Sequence, residues 1–478
     1  MKTTPPSFLG HTILVFALLL PFTLSAGEVV NDVTQLNPIV VDEVIAPVSI
    51  QEICAAVKNA KGAVSIGGAR HSQGGQIATE HSLYLDMRSF NRIVAFDPKK
   101  KTITVQTGIT WRDIQDKIDP YNLSVSIMQT YANFTVGGSL SVNCHGRYVG
   151  AGPIILSVKG IKVALADGSV VEATPESHGD IFYATIGGYG GVGVIVEATL
   201  QLTDNTKVER KVEVMPISRY KDYFIARIRD DPRAVFHNGH IYPPSFKTVR
   251  AVTWSETDRP VTNKDRLVGR NENYWLNRQL IWMTSELPFG KWLRQHVFDP
   301  LSYLRDPVVW RNHEASYDVA ELEPASRKDS TYILQEYFVP VERFDEFYPK
   351  MAGILNRHQV NVINISIRYA RQDPGSLLAW AKSEVFAFVL YYKQGTTEAD
   401  KAAVASWTRE LIDAALSVDG SYYLPYQIHA TTEQFSKAYP RAKEFFALKA
   451  RLDPENKFRN KLWDAYYPAP AWAEKNQD

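Results

Sequence analysis

Residues 65–76 read Ser-Ile-Gly-Gly-Ala-Arg-His-Ser-Gln-Gly-Gly-Gln. The apolar residues 63–66 have strand character, so the glycine pairs fall where a strand runs into a turn. Glycine removes the side chain where a backbone must bend sharply or let a ligand come close. In such a loop Arg70 and Ser72 can contact phosphate and His71 is presented as a reactive group. Gly67, Gly68, Ala69, Gly75 and Gln76 form the frame around them. A glycine-rich surface turn with an incidental histidine explains this stretch equally well, so the rest of the chain must decide.

Two further glycine segments lie downstream. Residues 135–147 read Thr-Val-Gly-Gly-Ser-Leu-Ser-Val-Asn-Cys-His-Gly-Arg. The small residues Gly137, Gly138, Ser139 and Ser141 would let a flat or phosphorylated ligand reach the backbone, whose free N–H groups favour an anion. His145, just before Gly146, reads equally as a ligand contact and as a satisfied structural donor. In the third segment, residues 186–193, Gly188, Gly190 and Gly193 satisfy G-x-G-x-x-G. The residues from Val194 and Ile195 onward form a β-branched strand and not the helix that a dinucleotide pyrophosphate needs, which excludes a Rossmann NAD site. Three such segments in one N-terminal lobe, each at a strand or turn, argue for a large flat cofactor with phosphates.

The ordered set Gly-Gly-x-Arg-His-Ser, Val-Gly-Gly-Ser-Leu-Ser-Val-Asn-x-His-Gly and Gly-Gly-Tyr-Gly-x-x-Gly-Val-Ile resembles the FAD-binding domain of the vanillyl-alcohol oxidase family, also called the PCMH-type domain. That resemblance implies FAD as cofactor, bound by the residues named in the three segments. It also implies that the first-loop histidine, here His71, carries the flavin covalently through its 8α-methyl group. Such a bond raises the flavin's redox potential and prevents its loss. Some members add a second bond through a cysteine before the second segment. Residues 131–134, Tyr-Ala-Asn-Phe, supply none, so a single bond is expected.

Short alternating strands, at residues 92–96 and 102–107 among others, mix with helices capped at Ser49 and Thr110, and Asp167-Gly168 turns a hairpin. This predicts an α+β fold with antiparallel pieces rather than a regular βαβ alternation. The expected division is a signal segment at 1–26, a FAD-binding domain at 27–205, a substrate or cap domain at 206–440 with a broad antiparallel sheet, and a C-terminal segment at 441–478. In the cap, residues 274–307 read as aromatic and loop-rich, 343–355 and 397–416 as helices, and 332–339, 362–370 and 385–392 as strands.

Two places in the cap carry candidate chemistry. On the alternating strand at 362–370, Asn364, Ser366 and Arg368 share one face. This strand resembles the Glu-x-Arg strand of sugar-alcohol and aldonolactone oxidases, whose arginine lies near flavin and substrate. Arg368 matches, while Ser366 stands where the family has glutamate. Residues 420–431 fall near the His-Trp-x-Lys segment of the lactone oxidases. Here Pro425, Tyr426 and Gln427 replace the lysine, leaving Tyr426 and His429 as candidates to act on the substrate hydroxyl. Further polar groups are Gln335, Glu336 and Tyr337 and the run Arg311-Asn312-His313-Glu314, each read as structural before catalytic. The ending Lys449, Asp453, Pro454 and Phe458-Arg459-Asn460 also resembles the family, in which the tail returns to cover the FAD domain.

The resemblance therefore implies an FAD-dependent oxidoreductase acting on a hydroxyl of a sugar, polyol or aldonolactone, with oxygen or another redox partner as electron acceptor. Two alternatives stand beside it: a dehydrogenase of a lipid-linked or other sugar using a quinone or protein acceptor, and a non-catalytic flavin-bearing binding protein. The formal net charge of +1 over 478 residues and the absence of long like-charge runs argue against nucleic-acid binding. Cys54 and Cys144 form no Cys-x-x-Cys pair, so no metal site is expected and both read as free thiols. Lys2, the apolar run at 13–20, Pro21 and the small residues Ser25 and Ala26 read as a secretory signal cut near Ala26, hence export to the periplasm or medium. An uncleaved anchor is the alternative, and no other stretch is expected to span a membrane.

Overall fold

The computed structural model of the chain describes Met1 and residues 27–270 and 272–468. The segment read as a signal, 2–26, lies outside the described residues. Near the N-terminus, Ser49 accepts a hydrogen bond from Glu52 N and opens the helix Ile50–Asn59, which buries Ile53 and Val57. This helix links Glu43–Ile45 to Val64–Gly67, and both strands flank Leu83–Asp86 in parallel. This parallel trio stands beside the antiparallel pieces expected, of which Ile93–Asp97 and Thr102–Gln106 pair as one: a crossover helix lets successive strands run the same way, which a tight hairpin cannot do.

A six-stranded antiparallel sheet lies beside it, with Val194–Asp204 pairing Val158–Ala164 on one side and Thr102–Gln106 on the other. Gly168, at φ +82°, turns the hairpin between Val158–Ala164 and Val170–Ala173. The third glycine segment leads into a strand and not a helix, as the sequence predicts. The second differs from expectation, because residues Val136–Ser141 form a short helix rather than a turn. Thr135 opens it with extended backbone, and Gly137 and Gly138 let the helix press against Thr107 and Thr135.

From Lys207 the chain builds an eight-stranded antiparallel sheet. Its spatial order is Val308–Trp310, Lys207–Pro216, Thr248–Glu256, Ala234–Ile241, Val362–Ala370, Val385–Gly395, Ser330–Pro340 and Ser421–Tyr422. The helices Phe344–Arg357 and Glu398–Leu416 cover one face, the second opened by a Thr397/Asp400 capping box. Phe344, Phe347 and Trp407 meet Phe386, Phe388 and Tyr392 there. Alternation sends Ile365 and Ile367 into this core and Asn364, Ser366 and Arg368 to the opposite face, which looks into a cavity.

Residues 274–307, read as loop-rich, are largely helical: Trp275–Glu286, Gly290–Leu293, a π-turn at Arg294–Phe298 and Asp299–Ser302. The first of these helices is apolar on more than one side, so its sequence carries no amphipathic period. Together these pieces form a cover over the cavity face of the large sheet. Arg294 holds it down by donating to Ile363 O at 2.6 Å and Asn364 Oδ1 at 3.1 Å.

The C-terminal residues fold back onto the first lobe. Val64 N donates to Lys457 O at 2.6 Å, Arg459 N donates to Val64 O at 3.1 Å, and Val64 pairs with Phe458 in a parallel bridge. Lys449, fully buried, binds Asp453 Oδ2 at 2.8 Å and the carbonyls of Gly191 and Phe458, each at 2.9 Å.

Candidate active site

A cavity of about 960 Å³ runs from the glycine segments of the first lobe to the inner face of the large sheet. Gly67, Gly68, Ala69, Arg70, His71, Ser72 and Gln76 line it from the first loop. Gly137, Gly138, Ser141 and His145 line it from the second, and Gly190, Gly193 and Ile195 from the third. The three segments, far apart in sequence, thus share one wall. Among the described residues the backbone amides of 68–72 donate to no backbone carbonyl, which leaves a run of N–H groups beside the cavity. Unpaired amides so placed form an anion-binding concavity. Arg70 adds positive charge: it takes a left-handed φ of 61°, reaches Asp86 at 3.2 Å, and leaves its Nε buried without a hydrogen-bond partner among the described residues. An elongated cavity with unpaired amides at one end suits a dinucleotide with a pyrophosphate, and the residues present fit FAD.

His71 belongs to this run and lines the cavity. Its ring lies 4.3 Å from that of Phe134, and Nε2 lies 3.5 Å from Asn133 Nδ2. Burial pulls its pKa down to about 4, so the imidazole is neutral at neutral pH and keeps a lone pair.

The other end of the cavity holds a polar cluster. His145 Nε2 is 2.6 Å from Glu336 Oε1, while its Nδ1 faces Gly146 O at 3.2 Å. A carbonyl only accepts, so Nδ1 donates there and Nε2 is the nitrogen that faces the carboxyl group. Tyr426 Oη donates to the other oxygen, Glu336 Oε2, at 3.3 Å. Burial raises the Tyr426 phenol well above its usual range, so it stays protonated as a donor. Arg368 is half-buried on the cavity wall; burial lowers its pKa, while the nearby Glu336 carboxylate opposes that shift. Its Nε has no hydrogen-bond partner among the described residues.

The position of Glu336 follows from register. Ser366 pairs with Val389 across one strand boundary, and Val389 pairs with Glu336 across the next. All three side chains line the cavity, so a carboxylate absent at Ser366 is supplied two strands away in the same row. By sequence Glu336 reads as one of the structural polar groups. The signal that marks it out is the alternation of Leu334 and Glu336 along a strand otherwise rich in buried apolar residues.

Of the other residues expected in the site, several support the wall without lining it. Ser139 Oγ donates to Thr135 O at 2.8 Å and accepts from Trp111 Nε1 at 2.9 Å. A Cβ at Gly146 would meet Met128 O at 2.2 Å, and one at Gly188 would meet Ala184 O at 2.1 Å. Gly75 turns at φ +76° against Lys461, and Val194 packs in the core of the first lobe. His429 lies off the cavity wall, with Arg409 donating to its carbonyl at 3.2 Å. In the 311–314 run, Asn312 is tied to Asp119 and Leu123, while Glu314 pairs with Arg147 at 2.9 Å on the cavity wall.

Comparison with known proteins agrees with this geometry. The FAD binding domain family matches residues 41–174, and the D-arabinono-1,4-lactone oxidase family matches residues 240–466. The chain belongs to the PCMH-type FAD-dependent aldonolactone oxidase family. Among its relatives, L-gulonolactone oxidase of Bos taurus is 20% identical over 420 residues, covering 86% of this chain and 91% of that protein. Decaprenylphosphoryl-beta-D-ribose oxidase of Mycolicibacterium smegmatis is 22% identical over 425 residues, covering 85% and 90%. A mitochondrial L-galactono-1,4-lactone dehydrogenase of Oryza sativa subsp. japonica is 29% identical over 128 residues, covering 27% and 22%. As a member of this family the protein is an FAD-dependent oxidoreductase.

Proposed function

We propose that the protein oxidises a secondary or hemiacetal hydroxyl of a sugar, polyol or aldonolactone, and that it holds FAD covalently through His71. The observation that carries the first part is the cluster of His145, Glu336, Tyr426 and Arg368 in the same cavity as the three glycine segments. A flavin bound in that cavity supplies a two-electron acceptor for a substrate C–H bond. Glu336, linked by a short hydrogen bond to His145, takes up the proton of the reacting hydroxyl, and Tyr426 orients the carboxylate. Arg368, half-buried and with an unpaired Nε, stabilises negative charge developing on the substrate oxygen. Asn364 and Ser366, on the same strand face, offer hydrogen bonds to further hydroxyls, which suits a polyhydroxylated substrate.

The covalent reading rests on the neutral imidazole of His71 beside the unpaired amides of residues 68–72. The segment at 1–26 supports export, where a tethered cofactor has value because a lost one is not replaced.

Anaerobic titration of the purified flavoprotein with a panel of sugars, lactones and polyols tests the reaction. At least one polyhydroxylated substrate is expected to bleach the flavin. A panel with no bleaching overturns the reading in favour of a flavin-bearing binding protein. Readmission of air then distinguishes an oxidase, which regains colour with peroxide, from a dehydrogenase requiring a quinone or protein acceptor. Acid denaturation tests attachment: flavin fluorescence travels with the polypeptide of wild type and not of His71→Ala. Flavin released from wild type rejects the covalent bond without rejecting FAD.

A further inference from the structure

The helix Trp275–Glu286 has two apolar sides. Asn277, Leu280, Ile281 and Thr284, spaced three and four residues apart, line the cavity. On other sides Trp275 is 63% exposed, Leu276 60% and Trp282 50%. The next helical pieces continue the surface with Leu287, Phe289, Trp292, Leu301 and Leu304, Phe289 being 75% exposed. Every exposed tryptophan and phenylalanine among the described residues falls in this stretch. An exposed apolar surface of this kind marks an interaction site.

Its charge indicates what it meets. Residues 275–305 carry Arg278, Lys291, Arg294 and Arg305 against Glu286 and Asp299. Glu286 pairs with Lys393 at 2.6 Å and Asp299 lies 3.8 Å from Arg294. Arg278, Lys291 and Arg305 have no carboxylate within 4 Å among the described residues. The surface is therefore aromatic and aliphatic with cations that no carboxylate pairs, Arg278 and Arg305 exposed and Lys291 half-buried. That composition suits a membrane interface, where Trp settles at headgroup level and Lys and Arg reach anionic lipids with their stems in the apolar layer. Lysine is, by contrast, depleted at protein interfaces. None of the described helices is long and apolar enough to cross a membrane.

We propose that the outer surface of residues 275–304 docks on the face of a phospholipid bilayer with anionic headgroups. The inner side is fastened to the body of the protein. Arg278 donates to Ala320 O at 2.8 Å, Asn361 to Ser285 O at 2.9 Å, and Arg210 to the carbonyls of Ser302 and Arg305 at 3.1 and 2.9 Å. Docking therefore sets the cavity at a fixed attitude to the membrane, with only this helical layer between them. The proposal stands whatever substrate the cavity takes.

Flotation of the full-length holoprotein with phosphatidylcholine vesicles, with and without phosphatidylglycerol, provides the test. Partitioning is expected to rise at least tenfold with the anionic lipid. It should fall at least tenfold in W282S/F289S/W292S at unchanged flavin content. Tryptophan emission of wild type should be quenched by bromine-labelled acyl chains. Should the triple variant misfold, K291E/R305E is expected to lose the anionic-lipid preference by itself. Partitioning unchanged by both sets of substitutions assigns membrane binding to the apolar leader and overturns the proposal. Absence of binding to either vesicle also overturns it, as does a dimer that wild type alone forms, which would make a second copy the occupant.

Discussion

His145 Nε2 and Glu336 Oε1 lie 2.6 Å apart, both almost fully buried, and the bond joins the second glycine segment to the large sheet. One lobe thereby holds the carboxylate that the other contributes to the cavity. Glu336→Gln keeps the shape and removes the proton-accepting charge. It is expected to fold with normal flavin content and to lose roughly 10²–10⁴-fold in kcat, the range of a general base. Stopped-flow reduction of the flavin by substrate measures it, and a rate within a few-fold of wild type contradicts the role.

Arg368 presents a half-buried guanidinium to the cavity, and its neighbours include Glu336. Arg368→Met should slow substrate oxidation by about 10²–10³-fold, as for loss of an oxyanion donor. Arg368→Lys should recover only part of that, because an ammonium lacks the planar fork. Steady-state kinetics on both variants provide the check.

Two glycines near the first loop should differ sharply. A Cβ on Gly67 would fall 1.6 Å from Tyr84 Oη, whereas one on Gly62 meets nothing within 4 Å. Gly67→Ala is expected to cost about 1–3 kcal/mol or more through overpacking, and Gly62→Ala to stay within about 0.5 kcal/mol of wild type. Urea unfolding of the flavin-free proteins measures both.

Acid should weaken the flavin-free protein well above the carboxylate range. Burial lowers the pKa of His71 and His429 to about 4, and of His237 and His240 to about 3. The unfolded chain protonates these groups as pH falls through about 6.5, while the folded one stays neutral to lower pH. The unfolded state thus binds more protons, and stability falls with pH by up to about 1.4 kcal/mol per unit for each histidine. Loss begins near pH 6.5 and levels off for each group near its folded pKa. Chemical unfolding at pH 7.5 and 5.5 should show it, and a flat profile would count against these four environments.

Lys449 and Asp453 form a wholly buried pair that also bonds the tail to Gly191. Lys449→Met strands the Asp453 charge and is expected to cost about 3–5 kcal/mol. Replacing both partners by apolar residues should cost less, which a double-mutant comparison of melting curves resolves.

The cofactor lobe is legible in the sequence because its constraints are local. Gly67, Gly138 and Gly190 are each dictated by a close approach or a left-handed φ within a few residues of the ligand wall. Thr110 and Thr397 announce their helices in the same way. Glu336 is not legible, since its place opposite Ser366 depends on two strand registers passing through Val389. Nor are the helices at 275–302, because apolar residues on several sides leave no period to detect. His429 shows the converse: proximity to Tyr426 in sequence does not bring it to the cavity.

The bridge between Val64 and Phe458 also orders events in time. The strand that carries the first cofactor loop is synthesised long before its partner. That strand edge therefore stays open until residues 457–459 have left the ribosome. A chain cut after 455 loses this closure together with the cavity residues Arg459 and Asn460, and it should emerge colourless.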